Sequence, residues 1–243
     1  MNTSIFMDIH THILPEVDDG ASTMEVTRKM LLQAKEQGIQ TIIATPHYGT
    51  GKREKNPLQL KEVLEKVQKE ADELSADIKL YLGNELYYRE AILEAVVRGE
   101  ALTLAESRYV LIEFSVGVKY NTLYQGLREF VLAGYAPILA HVERYQCLME
   151  DEELIQEIRE LGVYIQMNAD SLLGSFLNKR TAQHRRLIKN RLIHFIATDC
   201  HNNDTRAPEM QKAYQIVEKL TDSQYAKELF LDNPGKIIEN KYL

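Results

Sequence analysis

Residues 5–12 read Ile5-Phe6-Met7-Asp8-Ile9-His10-Thr11-His12. An apolar run ends in two histidines two positions apart. In a strand, side chains i and i+2 share a face. His10 and His12 therefore aim two imidazoles at one point, where a strand gives way to a loop. Two neutral imidazoles at that spacing supply half of a metal site. Asp8 stands one step further back, placed to orient a ligand from behind. A lone His-x-His is more often structural; here the arrangement recurs along the chain.

Further apolar, β-branched runs follow Ile5–Ile9 at Gln40–Thr45, Ile78–Leu82, Tyr109–Phe114, Ala136–Ala140, Val163–Met167 and Leu192–Ala197. Near-continuous apolar runs are what parallel strands covered on both faces require. Amphipathic segments lie between them. Ser22 with Glu25 reads as a capping box, and Asn56-Pro57 as an N-cap followed by proline at the first helical position. Gly38, Gly134 and Gly162 read as helix stops. Strands alternating with helices point to a barrel or an open parallel sheet, in one domain spanning 1–243.

Composition narrows the functional classes. The chain has 243 residues, 27% of them charged, and a formal net charge of −7. That balance argues against non-specific nucleic-acid binding. No run approaches the roughly 20 apolar residues of a membrane span, and the N-terminal residues carry no secretion-signal pattern. Cys147 and Cys200 are the two cysteines, so no disulfide framework is expected and a cytoplasmic location fits.

The polar residues able to bind metal fall at the strand ends: His10 and His12, then His47, Glu85, Glu113, His141, Asp199 and His201. In a barrel of parallel strands those ends meet on one face, which holds the active site. Five of the seven histidines lie there. His184 reads as solvated in a basic helix, and His194 as packed within a strand. In Asp18-Asp19-Gly20 either carboxylate is a candidate ligand, against an ordinary Asx turn.

The set Asp8-x-His10-x-His12, Thr45-Pro46-His47, Gly83-Asn84-Glu85, His141 and Asp199-x-His201 resembles the polymerase and histidinol phosphatase (PHP) superfamily of metal phosphoesterases. The stretches His10-Thr-His-Ile-Leu-Pro15, Asp18-Asp-Gly20, Leu111-Ile-Glu-Phe114, His141-Val-Glu-Arg-Tyr145 and Asp199-Cys-His-Asn202 resemble, within it, the bacterial capsule and exopolysaccharide tyrosine phosphatases of the CpsB type. The resemblance runs essentially the whole length. It implies a distorted TIM-like α/β barrel of seven βα units holding three divalent metals. By that resemblance His10, His12, Glu85 and Asp199 hold one metal. Glu85, Glu113 and His141 hold a second, and Asp19, His47 and His201 a third. It also implies that Arg144 and Arg206 clamp a phosphate, against the plainer reading of surface salt bridges. Four carboxylates among five histidines form a harder set than zinc usually prefers, which suits manganese, with iron or zinc as alternatives. The implied partner is a phosphotyrosine protein, the C-terminal tail of a tyrosine autokinase that controls capsule or exopolysaccharide synthesis. Val142, in the motif that begins at His141, and the seven residues before Asp8 are the small departures from the family pattern.

Competing readings remain at this point. One is a small-molecule phosphatase of the same superfamily, acting on a substrate such as histidinol phosphate. Others are a metal-dependent nuclease and a non-catalytic regulator. Cys200 through Arg206 is a literal Cys-x5-Arg, the spacing of cysteine-dependent tyrosine phosphatases. The stretch lacks glycine and contains His201, and Asp199 would raise the thiol pKa. Cys200 therefore reads as a passenger, and Cys147 as a core or helix-start residue. Lys52-Arg53-Glu54-Lys55 could gate the pocket or meet an acidic phosphopeptide, the basic segment 179–191 could dock a partner or approach anionic lipid, and either could simply face solvent. Because ligand histidines must be neutral, activity is expected to fall as pH drops through about 6 to 5.

Overall fold

The computed structural model describes residues 5–51, 54–175 and 177–243. Its strands are β1 (Phe6–Thr11), β2 (Ile39–Ala44), β3 (His47–Tyr48), β4 (Lys79–Leu82), β5 (Glu85–Tyr87), β6 (Tyr109–Glu113), β7 (Ala136–Leu139), β8 (Tyr164–Asn168) and β9 (Phe195–Ala197). Every pairing is parallel, in the orders β1-β2-β4 and β3-β5-β6-β7-β8-β9. The two sheets are one curled sheet with an interruption. Pro46 has no N–H to give and restricts Thr45 before it, so β2 ends and β3 restarts beyond it. Across the gap Gly83 N donates to Ala44 O at 2.9 Å and Glu85 N to Pro46 O at 3.2 Å. Seven strand paths result, as expected from the seven apolar runs. Glu85, expected just beyond the third strand, opens the short β5.

The outer edges meet through Asp199 N to His10 O at 2.8 Å and His12 N to Cys200 O at 2.9 Å. The fold is thus a distorted α/β barrel. Side chains alternate between two apolar layers. Ile9, Ile43, Tyr109, Leu111, Ile138 and Phe195 fill the inside. Val110, Ile112, Leu139, Ile165 and Ile196 face the helices.

Those helices are α1 (Met24–Glu36), α2 (Pro57–Glu73), α3 (Ile92–Val97), α4 (Tyr120–Leu132), α5 (Gln146–Glu150), α6 (Glu153–Glu160), α7 (Lys179–Lys189), α8 (Gln211–Leu220), α9 (Ser223–Lys227) and α10 (Asn233–Ile238). Asn56 caps α2 with the reciprocal Gln59 bond, both at 3.0 Å. The cap of α1 is corrected by one residue. Thr23, not Ser22, accepts from Val26 N, which leaves Glu25 one place too early to reach back as a capping box requires. Gly38, Gly134 and Gly162 follow helices with positive φ, as read from the sequence. Among the described residues no helix is long and apolar enough to cross a membrane.

Candidate metal centre

His10 of β1 and His12, one residue past its end, share a face through a bulge. Asp8 pairs with Ile42 and Thr11 with Ala44, so three steps on β1 match two on β2. Ile42 and Ala44 belong to the helix-facing layer and Ile9 to the interior. The extra residue at Ile9–His10 re-aims the strand. His10 and His12 both reach the mouth of the barrel, while Asp8 is turned to the opposite side. Asp8 therefore orients no imidazole ring. It accepts from Thr198 N at 3.0 Å, from Thr198 Oγ1, and from His10 N at 3.4 Å. These bonds tie β1 to the segment that carries Asp199. Burial pushes the Asp8 carboxyl up to about 6 despite them.

Four side chains converge on one point. His10 Nε2 lies 3.3 Å from Glu85 Oε2 and 3.4 Å from Asp199 Oδ1. His12 Nε2 lies 3.2 Å from Glu85 Oε2, 3.5 Å from Asp199 Oδ1 and 3.4 Å from His10 Nε2. Ligands about 2.1 Å from a shared ion in tetrahedral array stand about 3.4 Å apart. The spacing is thus that of a ligand shell, and all four residues are buried. The residues fit a divalent ion.

The cluster extends on both sides of Glu85. His141 Nε2 lies 2.9 Å from Glu85 Oε1 and 3.4 Å from Glu113 Oε1. His47 Nδ1 is 3.1 Å from Glu85 Oε2 and 3.8 Å from Glu113 Oε2, while its Nε2 is 3.4 Å from Asp19 Oδ1. His201 Nε2 reaches the same Asp19 oxygen at 3.4 Å. His12 also falls within ligand reach of Asp19, His47 and His201. All nine candidate ligands are therefore brought together, with His12, His47 and Glu85 each belonging to two groups.

The electrostatics describe a site built for cations. Burial raises the cost of the Glu85 charge, but His10, His12 and His141 outweigh it and hold the carboxyl well below its usual range. Burial favours neutral His141, yet Glu113 and Glu85 push it up to about 9. Burial opposes charge on His12 too, and Asp18, Asp199 and Glu85 still raise it well above its usual value.

Backing groups fix ring orientation. His12 Nδ1 donates to Asp18 Oδ2 at 2.7 Å, and Asp18 also accepts from Gly20 N at 2.9 Å and His47 N at 3.1 Å. Asp18 thus forms the Asx turn and supports His12, while Asp19 faces the cluster. A Cβ on Gly20 would stand 2.2 Å from His12 O, so the turn packs directly on that candidate ligand. His201 Nδ1 donates to Asp199 O at 3.0 Å. His141 and Asp199 hold left-handed backbone, φ 32° and 51°. Such strain in non-glycine residues gathers at functional sites. The buried amides Gln166 and Asn168 of β8 also join the centre. Sequence reasoning missed them, although two amides at i and i+2 beside an apolar run were a readable signal.

Arg144 and Arg206 both rest on Asp199. Arg144 Nη2 pairs with Oδ2, and Arg206 Nη2 donates to Oδ2 at 2.7 Å and to the carbonyl at 3.1 Å. Each side chain keeps about a third of its surface exposed, 35% and 36%. They stand beside the candidate ligands, partly open to solvent.

The Cys-x5-Arg stretch has no anion cradle. His201 N donates to Arg206 O at 3.0 Å, Cys200 N to Thr198 Oγ1 at 3.2 Å, and Arg206 N to Asn202 Oδ1 at 3.0 Å. Cys200 is buried with Sγ 3.0 Å from Thr11 Oγ1, and burial pushes its thiol up to about 12. Cys147 sits half-buried in α5.

The remaining readings resolve similarly. His194 Nδ1 accepts from Ile165 N at 2.9 Å, consistent with packing. His184 is half-buried rather than solvated, its Nδ1 donating to Ser171 O at 3.0 Å. Lys52 and Arg53 lie outside the described residues. In the basic segment Arg185 donates to Leu172 O, Arg186 pairs with Glu152 and Arg191 with Asp222. Much of its charge is engaged within the fold.

The family model for capsular polysaccharide synthesis, CpsB/CapC, matches residues 6–239. The tyrosine-protein phosphatase CpsB of Streptococcus pneumoniae is 36% identical, covering 98% of this chain and 100% of that protein. The tyrosine-protein phosphatase YwqE of Bacillus subtilis is 34% identical, covering 88% and 84%. A crystal structure from work on YwqE of Bacillus subtilis and CpsB of Streptococcus pneumoniae, described as metal-dependent tyrosine phosphatases, superposes with a TM-score of 0.90 at 32% identity, covering 97% of this chain and 95% of that one. Dihydropyrimidinase from Brevibacillus agri, 12% identical with a TM-score of 0.54 over 97% of this chain and 70% of that one, shares the fold alone. With the family model spanning nearly the whole barrel, this chain belongs to the CpsB/CapC family of capsular polysaccharide synthesis proteins.

Proposed function

We propose that this chain is a metal-dependent protein-tyrosine phosphatase, with residues 1–243 acting as one domain in the cytoplasm. The observation that carries the reading is the convergence of His10, His12, Glu85 and Asp199 at ligand spacing beside two arginines. The phosphatases CpsB and YwqE, similar over most of their length, support it. His10, His12, Glu85 and Asp199 would hold one metal. Glu85, Glu113 and His141 would hold a second, and Asp19, His47 and His201 a third. Manganese suits this carboxylate-rich set, with iron or zinc as alternatives. When bound, such metals polarise a phosphoryl group and activate water near neutral pH.

The chain's own residues do the rest. Asp18 keeps the proton of His12 on Nδ1, and Asp199 O does the same for His201, so each Nε2 lone pair faces the cluster. Arg144 and Arg206 would turn part of their donor forks from Asp199 to the phosphoryl oxygens, a geometry guanidinium suits. The leaving tyrosinate, with a phenol pKa of about 10, needs less acid assistance than an alkoxide. The substrate we infer is the phosphotyrosine tail of a tyrosine autokinase controlling capsule or exopolysaccharide synthesis.

The test is hydrolysis of a phosphotyrosine peptide by chelated protein with and without added Mn2+, beside a phosphoserine peptide and histidinol phosphate. Metal-restored turnover selective for phosphotyrosine is expected. Turnover that ignores chelation, or that favours histidinol phosphate, would overturn the assignment.

A further inference from the structure

Gln166 and Asn168 lie two apart on β8, level with Phe195 and Ala197 of β9, whose side chains face the interior. Both are buried, Gln166 completely. A buried amide left unpartnered would be costly, and here each hydrogen bond has a determinable direction. The backbone N–H of His141 can only donate, so the Gln166 atom 2.7 Å from it is the oxygen, Oε1. The Gln166 Nε2 then donates to Asn168 Oδ1 at 2.9 Å. Asn168 must turn its Nδ2 outward, and it donates to Asp199 Oδ2 at 2.8 Å. A donor-only group at one end and a carboxylate at the other admit a single orientation of both amides.

That orientation acts on His10. Its Nδ1 lies 3.3 Å from the same Gln166 Oε1. An amide oxygen accepts only, so Nδ1 is the nitrogen that carries a proton here, and Nε2 is the one left to face a metal. Nε2 is the atom that stands 3.3 Å from Glu85 and 3.4 Å from Asp199. At the far end Asn168 joins Arg144 and Arg206 on Oδ2 of Asp199, and from the barrel interior it helps to leave Oδ1 toward His10 and His12. One chain of two amides therefore reaches two candidate ligands of one metal.

We propose that Gln166 and Asn168 are positioning residues of the metal centre: Gln166 holds His10 in the Nδ1–H form, and Asn168 holds Asp199 with Oδ1 facing the ion. The proposal rests on the metal-dependent reading above. Its alternative is that the amides only satisfy one another as part of the barrel interior.

The two accounts rank variants oppositely. Gln166→Met keeps volume and removes the acceptor. Gln166→Glu keeps the acceptor for His10 and His141 but loses the donor to Asn168 Oδ1 and buries a charge, which harms the fold more. Mn2+ affinity is read by electron paramagnetic resonance of the free ion, and thermal melts are run alongside. Positioning predicts that Gln166→Met binds Mn2+ roughly 10–100-fold more weakly, the usual effect of losing a group behind a ligand. Gln166→Glu should regain much of that loss although its melting temperature is lower. In Zn2+-loaded protein the His10 Nδ1–H resonance should be protected from exchange in wild type and Gln166→Glu, and lost in Gln166→Met. Asn168→Ala should weaken Mn2+ binding while leaving that resonance in place. Wild-type affinity in Gln166→Met, or affinities that simply follow the melting temperatures, would overturn the proposal. A wild-type chain that binds no Mn2+ would instead overturn the reading on which it rests.

Discussion

Replacing Cys200 by serine separates two chemistries that share a sequence spacing. At pH 7.5 a thiol pushed up to about 12 is ionised to only about 3 × 10⁻⁵. A nucleophilic cysteine works as thiolate, at a pKa several units lower. Sγ here is buried and 3.0 Å from Thr11 Oγ1. A serine hydroxyl is slightly smaller and bonds the same partner more strongly, so stability should change by no more than about 1 kcal/mol. Alanine leaves Thr11 Oγ1 without this contact and should cost about 1–3 kcal/mol. The assay is kcat/KM on a phosphotyrosine peptide with Mn2+, with metal content and a urea melt measured on the same samples. Cys200→Ser should retain activity within about threefold and Cys200→Ala should be active but less stable, because neither change touches a proposed ligand. Loss of activity beyond about 100-fold in both variants, with metal content and folding intact, would refute the argument.

Three other outcomes follow from the same geometry. Because Glu113 and Glu85 push metal-free His141 up to about 9 against the pull of burial, metal must displace its proton at pH 7.5. Mn2+ affinity should therefore keep rising to about pH 9, above the range expected of free imidazoles; calorimetry in buffers of different ionisation enthalpy would contradict this by finding no proton release. Burial, with Arg159 adding to it, lowers His194 to about 3, so between pH 3 and 6.5 the unfolded chain binds the extra proton and stability falls with acid. His194→Asn keeps an acceptor for Ile165 N without titrating, so the stability gap to wild type in metal-free protein should narrow by about 2 kcal/mol from pH 6.5 to 4.5; urea melts giving a constant gap would count against it. Arg206→Lys and Arg144→Lys lose forked donors, and each should lower kcat/KM for the peptide by about tenfold or more; values within twofold for both would remove the arginines from substrate binding.

What the sequence determined by itself was local. Seven apolar runs separated by capped amphipathic segments dictated a parallel α/β fold, since period and punctuation are properties of neighbouring residues. The ligand types were equally legible, because five histidines and the acids Glu85, Glu113 and Asp199 stand where those runs stop. Tertiary structure decided the rest. The bulge at Ile9–His10 exists only against β2, and it alone turned Asp8 away from the rings. Asp18 and Asp19 are chemically alike in the sequence; the approach of His12 and His47 separated support from candidate ligand. Arg144 and Arg206 meet on Asp199, and Gln166 reaches His10 across 156 positions, because barrel closure brings distant strand ends together. Propensity acts within a few residues. A metal centre is assembled by contacts between strands, so its residue types could be read along the chain but their partners could not.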